Sequence, residues 1–408
     1  MMSKLLRGCL RLSVVALLVA FITSLAFLAG FAARTSLSSP SPAVVVVESD
    51  SSEEEAFRIF WEAWGILKRD FYGDLPDAQE MAYGAIRGVI DSLDDKYTAF
   101  LDPEIAAIIR EDMSGAFDGI GAVVDMNDEG KLVIVQTFDG KPAAQAGLRP
   151  GDVVLAVDDT VIENMSVFEA VGLIRGPAGS IARLTIQRQG LEDPFVVEVV
   201  RQRIEIPVVE SKVLDDDIAY LKLSEFNSQA TSELKAGLQS LLAEEPRALI
   251  LDLRNNPGGF LNVAVEVGSQ FVGEGSILVE TFKEGQDRSY PVQSGGLATD
   301  IPLAVLVNGG TASASEIVAG AIQDTGRGVL VGEKTLGKGS VQLSHQLSDN
   351  SELRVTYAYW FTPKGRAIHG KGLTPDVQVD VTEEDIEAGH DPQLERAIEY
   401  LRELTGER

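Results

Sequence analysis

Three short segments hold residue types at spacings that can do chemistry. In Asn308-Gly309-Gly310-Thr311-Ala312-Ser313-Ala314-Ser315-Glu316, the apolar run Leu303–Val307 enters a glycine turn and leaves as a helix with Ile317, Val318, Ala321 and Ile322 on its apolar face. A serine at a strand-to-helix turn presents its hydroxyl where backbone N–H groups point outward, which makes Ser313 a candidate nucleophile and Ser315 its rival. The same residues also suit an ordinary helix cap. In Gly337-Lys338-Gly339-Ser340-Val341-Gln342, a glycine-flanked lysine can approach another segment closely. Lys338 acts as a general base only where burial lowers its pKa by several units, and otherwise it is a solvated loop lysine. Gln342 can hold the amine by a hydrogen bond without adding charge. In Leu251-Asp252-Leu253-Arg254-Asn255-Asn256-Pro257-Gly258-Gly259, a buried strand ends in a Pro-Gly-Gly turn. The N–H of Gly259, with that of Ala314, can donate to a developing oxyanion, each such donor contributing ~3–4 kcal/mol; the bland reading is a plain tight turn.

The elements that must position these residues come from residues 204–381, where strands and helices alternate. Strands are expected at 219–223, 248–253, Leu303–Val307 and 328–332, with helices at 228–242, 261–271 and 314–323. This alternation predicts an α/β layer structure with helices covering sheet faces. Upstream, residues 114–203 begin with Gly119-Ile120-Gly121-Ala122. Strands follow at 123–126, Leu132–Thr137 and Val153–Val157, then a helix over 165–174 and a strand over 182–187. This unit resembles a PDZ domain, a size fit for a compact domain. Residues 53–113 read as helical, with Phe57, Phe60, Trp61, Trp64, Ile66 and Leu67, and then Met81, Ala85, Ile86, Val89, Ile90 and Leu93, at three- and four-residue steps. So dense an aromatic face suits a packing surface or a homodimer interface. Residues 382–408 read as a charged terminal helix.

The N-terminus reads as a targeting segment. Residues 12–33 form an apolar or small-residue run long enough to cross a bilayer, preceded by Lys4, Arg7 and Arg11. The order is a cytoplasmic N-terminus (1–11), a transmembrane signal anchor (12–33) and a linker (34–52). The competing reading is a cleaved signal peptide, and both readings export the rest of the chain. A formal net charge of −27 over 408 residues argues against nucleic acid or an anionic membrane surface as a general partner. The single cysteine, Cys9, excludes an intramolecular disulfide and a cysteine-rich metal cluster. The three histidines, His345, His369 and His390, lack His-Glu-x-x-His spacing, so no metal site is expected. A Ser-His-Asp triad stays formally open.

Taken in order behind the PDZ-like unit, these motifs resemble the C-terminal processing (tail-specific) protease family. The resemblance runs from about Glu55 to Asp380 and includes Leu93-Asp94-Asp95-Lys96-Tyr97-Thr98, Thr362-Pro363-Lys364-Gly365-Arg366 and His369-Gly370-Lys371-Gly372-Leu373-Thr374-Pro375-Asp376. It implies an α/β (α+β multidomain) fold: a crotonase-like or ClpP-like protease core with an inserted PDZ domain, a helical N-terminal element and one N-terminal transmembrane helix. It implies Ser313 as nucleophile, Lys338 as base, Gln342 as its support, and the N–H groups of Gly259 and Ala314 as the oxyanion hole, with no cofactor. Gly119, Ile120, Gly121 and Ala122 then hold a substrate C-terminus, and Arg175 couples that site to catalysis or is an ordinary surface arginine. The expected protein is a single-pass membrane serine endopeptidase with an extracytoplasmic catalytic domain. Two other classes remain: a non-catalytic PDZ scaffold or holdase, and acyl-CoA chemistry on a crotonase-type fold.

Overall fold

The computed structural model describes residues 51–406 apart from Asp128 and Glu284. The expected anchor at 12–33 and nearly all of the 34–52 linker lie outside the described residues. Among the described residues, no helix is long and apolar enough to cross a membrane. The chain divides into two units, one ending at Asp77 and one beginning at Ala78. In the first, the helix Ser51–Asp70 leaves Phe57, Phe60 and Trp61 exposed. These rings touch only edge to edge along the helix, at 6.4 and 5.1 Å.

The second unit is built on a six-stranded sheet in the order Val209–Val213, Ile218–Leu223, Ala248–Asp252, Leu303–Val307, Val329–Gly332 and Val377–Gln378. The first pair is antiparallel and the rest are parallel. Parallel strands need helical crossovers, so both faces are covered and the strands read as unbroken apolar runs. Alternate residues serve two cores. Leu249, Leu251, Val305 and Val307 face the helices Ala230–Leu242, Leu261–Gly268 and Ala314–Thr325. Ile250, Ala304 and Leu306 face Ala397 and Leu401 of the helix Pro392–Thr405. The expected single terminal helix over 382–408 is two helices, Glu383–Ala388 and Pro392–Thr405. Gly389 (φ 66°) ends the first, and the Asp391 carboxylate caps the second by accepting from the Leu394 N–H.

A second, five-stranded sheet lies outside the alternating pattern. The long strand Glu352–Phe361 pairs with Ala99–Leu101 and Ser276–Phe282 along one edge and with Ser340–Gln346 along the other. The segment expected to be helical over 53–113 therefore contains a strand, Ala99–Leu101, between the helices Ala78–Asp91 and Pro103–Met113.

The PDZ-like unit is an antiparallel sheet of Ala122–Met126, Leu132–Thr137, Val153–Val157, Ile181–Gln187 and Phe195–Val200. Its helix Val167–Ile174 starts on a capping box in which Ser166 and Glu169 satisfy each other's backbone N–H groups. Ile134, Leu184 and Ile186 fill its separate core. The chain enters this unit on Ala116–Gly119 and leaves it on Gln202–Glu205, and these two strands pair antiparallel as a stalk.

Candidate active site

The Ser313 turn is held in place by buried side chains. Ser313 has φ 58° and ψ −118°, a conformation costly for a residue with a Cβ by roughly 1–3 kcal/mol. Its neighbours hold it there. The Ala312 N–H donates to the Asn256 carbonyl at 3.0 Å, and Ser315 Oγ donates to the same oxygen at 2.7 Å. The Ala312 carbonyl lies 2.9 Å from the same Oγ and shares its single proton, so this rival hydroxyl is buried and engaged within the fold. The Thr311 hydroxyl donates to the Leu253 carbonyl at 2.9 Å.

Asn256, fully buried, staples the facing turn. Its Nδ2 donates to the Leu223 carbonyl at 2.7 Å, and its Oδ1 accepts from the Gly258 N–H at 2.9 Å. Gly258 (φ 99°) lies so close to the serine turn that a Cβ there would fall 2.7 Å from Ser313 Cβ and 2.8 Å from the Ala314 nitrogen. Gly259 is pinned by Phe226 on either side of it: Phe226 N–H donates to the Gly258 carbonyl at 2.8 Å, and Phe260 N–H donates to the Phe226 carbonyl at 2.9 Å. Neither the Gly259 nor the Ala314 N–H is taken by an acceptor among the described residues. Both belong to touching turns that flank Ser313, where donors must sit to hold an oxyanion.

Glu316 links the serine turn to the lysine loop. Its carboxylate accepts from Ser313 N–H at 3.0 Å, Lys338 N–H at 2.8 Å, Gly337 N–H at 2.8 Å and the Thr335 hydroxyl at 2.5 Å. Burial pushes its pKa up while these four donors pull it back. Neither Glu316 nor Asn256 has a role that its own motif makes legible. The available signal was a polar residue inside each apolar, glycine-rich run; its partners come from remote segments.

Lys338 is half-buried, its Nζ 5.5 Å from the centre of the Tyr97 ring, and its carbonyl accepts from Trp360 Nε1 at 3.2 Å. Burial first, and the Arg354 guanidinium second, hold the amine below its ordinary pKa. Ser313, Lys338, Gly259 and Gln342 line one cleft of about 510 Å³, with Tyr97, Arg354 and Trp360 on its walls. No hydrogen bond joins Ser313 Oγ to Lys338 Nζ among the described residues. The expected Gln342–Lys338 bond is likewise absent in this conformation. Gln342 Nε2 donates instead to Ser340 Oγ at 2.9 Å and Thr356 Oγ1 at 3.2 Å. The pairing register shifts between Val341 and Gln342, and such an irregularity re-aims the side chain that follows it. None of the three histidines is on the cleft wall; His369 instead lies against Tyr97 and Tyr359, at 5.7 and 4.7 Å.

The PDZ residues lie around a second cavity of about 440 Å³. The expected loop is shorter than four residues: Gly119 ends a stalk strand and Ala122 begins a sheet strand, leaving Ile120 and Gly121 (φ 74°) as the turn. Ile120 is buried. Arg175 is no free surface arginine. Its guanidinium donates to Asp112 at 2.6 Å and to Glu111 at 3.4 Å, and it stacks 4.1 Å over Phe117.

Comparison with known proteins places this geometry. The model of peptidase family S41 matches residues 217–379, and that of the PDZ domain matches 139–188. A carboxy-terminal-processing protease of Bartonella bacilliformis is 38% identical over 317 residues, which span 76% of this chain and 72% of the relative. The chain belongs to the carboxy-terminal processing proteases of peptidase family S41. It is therefore a serine-type peptidase. The carboxy-terminal processing protease CtpA of Bacillus subtilis is 35% identical, over 82% of this chain and 71% of the relative. Among solved structures, a photosystem II D1 C-terminal processing protease superposes with a TM-score of 0.51 at 31% identity, covering 81% of this chain and 94% of that one. An S41 family member of this build, with a PDZ unit on a stalk beside the cleft, is suited to binding peptide substrates.

Proposed function

We propose that this S41 protease cuts polypeptides near their C-termini with Ser313 as nucleophile and neutral Lys338 as general base. Lys338 Nζ takes the Ser313 proton as Oγ attacks the scissile carbonyl, and the oxyanion is held by the N–H groups of Gly259 and Ala314. The resulting ammonium gives its proton to the leaving amine, and water then hydrolyses the acyl-enzyme. Catalytic hydrogen bonds are often open in an empty site and tighten around substrate. Closure of the cleft brings the two groups together and turns Gln342 toward the amine. The observation that carries the reading is the pair of N–H bonds from Ser313 and Lys338 to one Glu316 carboxylate, which fixes both backbones to a common point.

The substrate C-terminus adds to the PDZ unit, with its carboxylate on the Ile120-Gly121 turn between the strand ends Gly119 and Ala122. Arg175 reports that occupancy to the core. The apolar segment 12–33 anchors the protein as a single-pass membrane protein with the catalytic unit exported. The exposed aromatic face of Ser51–Asp70 supports a homodimer made through the N-terminal helices. The test is mass-spectrometric mapping of the products from an unstructured polypeptide. Wild type and Ser315→Ala give C-terminal cuts, while Ser313→Ala and Lys338→Ala give none yet melt as cooperatively as wild type. Full activity in Lys338→Ala sinks the dyad.

A further inference from the structure

The PDZ cavity and the catalytic cleft share a wall. Of the residues lining them, Glu225 and Pro257 border both. A chain held by its end in one cavity and cut in the other must cross this wall. The Glu225 backbone is held at this wall by its neighbours: Ser224 N–H donates to the Val208 carbonyl at 2.9 Å and Phe226 N–H to the Gly258 carbonyl at 2.8 Å. Its carboxylate is half-buried and makes no ion pair among the described residues. Burial pushes its pKa up, the Asp112 charge pushes it further, and the nearby Asn227 amide is the opposing influence. Asp112, in the same PDZ cavity, differs: its charge is met by Arg175 at 2.6 Å. A carboxylate drawn from water without a cation is unfavourable, and such groups concentrate where a ligand supplies the missing charge.

We propose that Glu225 selects substrates by charge: it accepts a lysine or arginine, and disfavours an aspartate or glutamate, at the residue that crosses from the cleft to the PDZ cavity. The inference rests on the reading that one substrate spans both cavities. The selected residue lies on the C-terminal side of the cut bond, and the partner chemistry is an extended peptide with one cationic side chain there.

The test uses unstructured peptides with one cleavage site and one C-terminus, in which Lys, Gln or Glu is walked singly through the positions between them. Wild type, Glu225→Gln and Glu225→Lys are compared by kcat/KM, and each peptide is made with a free and an amidated C-terminus. At one position, wild type prefers Lys to Glu on the order of tenfold, the ratio that about 1.4 kcal/mol provides. Glu225→Gln brings the ratio near unity and Glu225→Lys inverts it. A wild-type ratio near unity at every position overturns the inference without need of any variant, as does a ratio that both active variants leave unchanged. The amidated arm separates the two readings. A lost carboxylate preference with the Lys preference kept faults C-terminal recognition alone; the reverse faults charge selection alone.

Discussion

A lysine that works as a base must shed its proton near neutrality, and the Lys338 environment supplies two reasons for it to do so: half-burial against Tyr97 and Trp360, and the neighbouring Arg354 charge. The sign of the second effect is testable. Arg354 disfavours the ammonium, so removing its charge lets the Lys338 pKa climb, and less neutral amine remains at any given pH. In Arg354→Gln, which can still hydrogen-bond Glu352, the rising limb of the kcat/KM profile moves to more alkaline pH. A limb that stays put or moves toward acid contradicts Lys338 as the base. The burial behind this argument was not legible in the sequence. Gly337-Lys338-Gly339 is equally compatible with a solvated loop, and the walls come from Tyr97, Arg354 and Trp360, each remote in sequence or across a sheet. Glu316 was hidden for the same reason, since its four donors come from two segments some twenty residues apart.

At the scale of elements, the glycine turn after Ala248–Asp252 and the serine turn after Leu303–Val307 face each other because their strands are parallel neighbours. Both turns leave the same end of the sheet, where parallel α/β folds place their sites. Gly258 is the point of contact. Gly258→Ala must carry a Cβ at φ 99° into Ser313 Cβ and the Ala314 nitrogen, so the turns are forced apart. The expected result is a loss of kcat of ~10²-fold or more with a modest change in KM, read by steady-state kinetics beside a melting curve. Elements with a clean pattern were readable: Leu132–Thr137, Val153–Val157 and Leu303–Val307 fall where alternation or an unbroken apolar run predicts them. The second sheet was not. Ser340–Gln346 is largely polar and is exposed from Leu343 onward, and Glu352–Phe361 gains its burial from partners on both edges rather than from its own pattern. The PDZ strand Phe195–Val200 and the stalk strand Gln202–Glu205 lie beyond the strand over 182–187 on which the sequence pattern ends the PDZ-like sheet.

Across the whole second unit, a chain of charges runs from the PDZ helix to the cleft. Arg175, at the end of Val167–Ile174, binds Asp112 and Glu111 on the helix Pro103–Met113. On that same helix Arg110 reaches Glu352 at 3.4 Å, and Glu352 holds Arg354 at 2.7 Å beside Lys338. Arg175→Ala breaks the first link. Because its partners are half-exposed, the stability cost is about 1 kcal/mol or less. The larger effect falls on coupling: the ratio of cleavage rates for free over amidated C-termini drops several-fold while the melting midpoint moves little. An unchanged ratio disposes of Arg175 as a reporter.

The paired strands Ala116–Gly119 and Gln202–Glu205 bring the two ends of the inserted unit side by side. An insertion whose ends meet needs only a gap one hairpin wide in the backbone of its host, so the unit is easily spliced, and its further tie is the pairing of Arg175 with Asp112 and Glu111. Evolution, or an engineer, can exchange what is recognised without redrawing the core, provided the replacement also begins and ends on neighbouring strands and keeps a cation for Asp112 and Glu111.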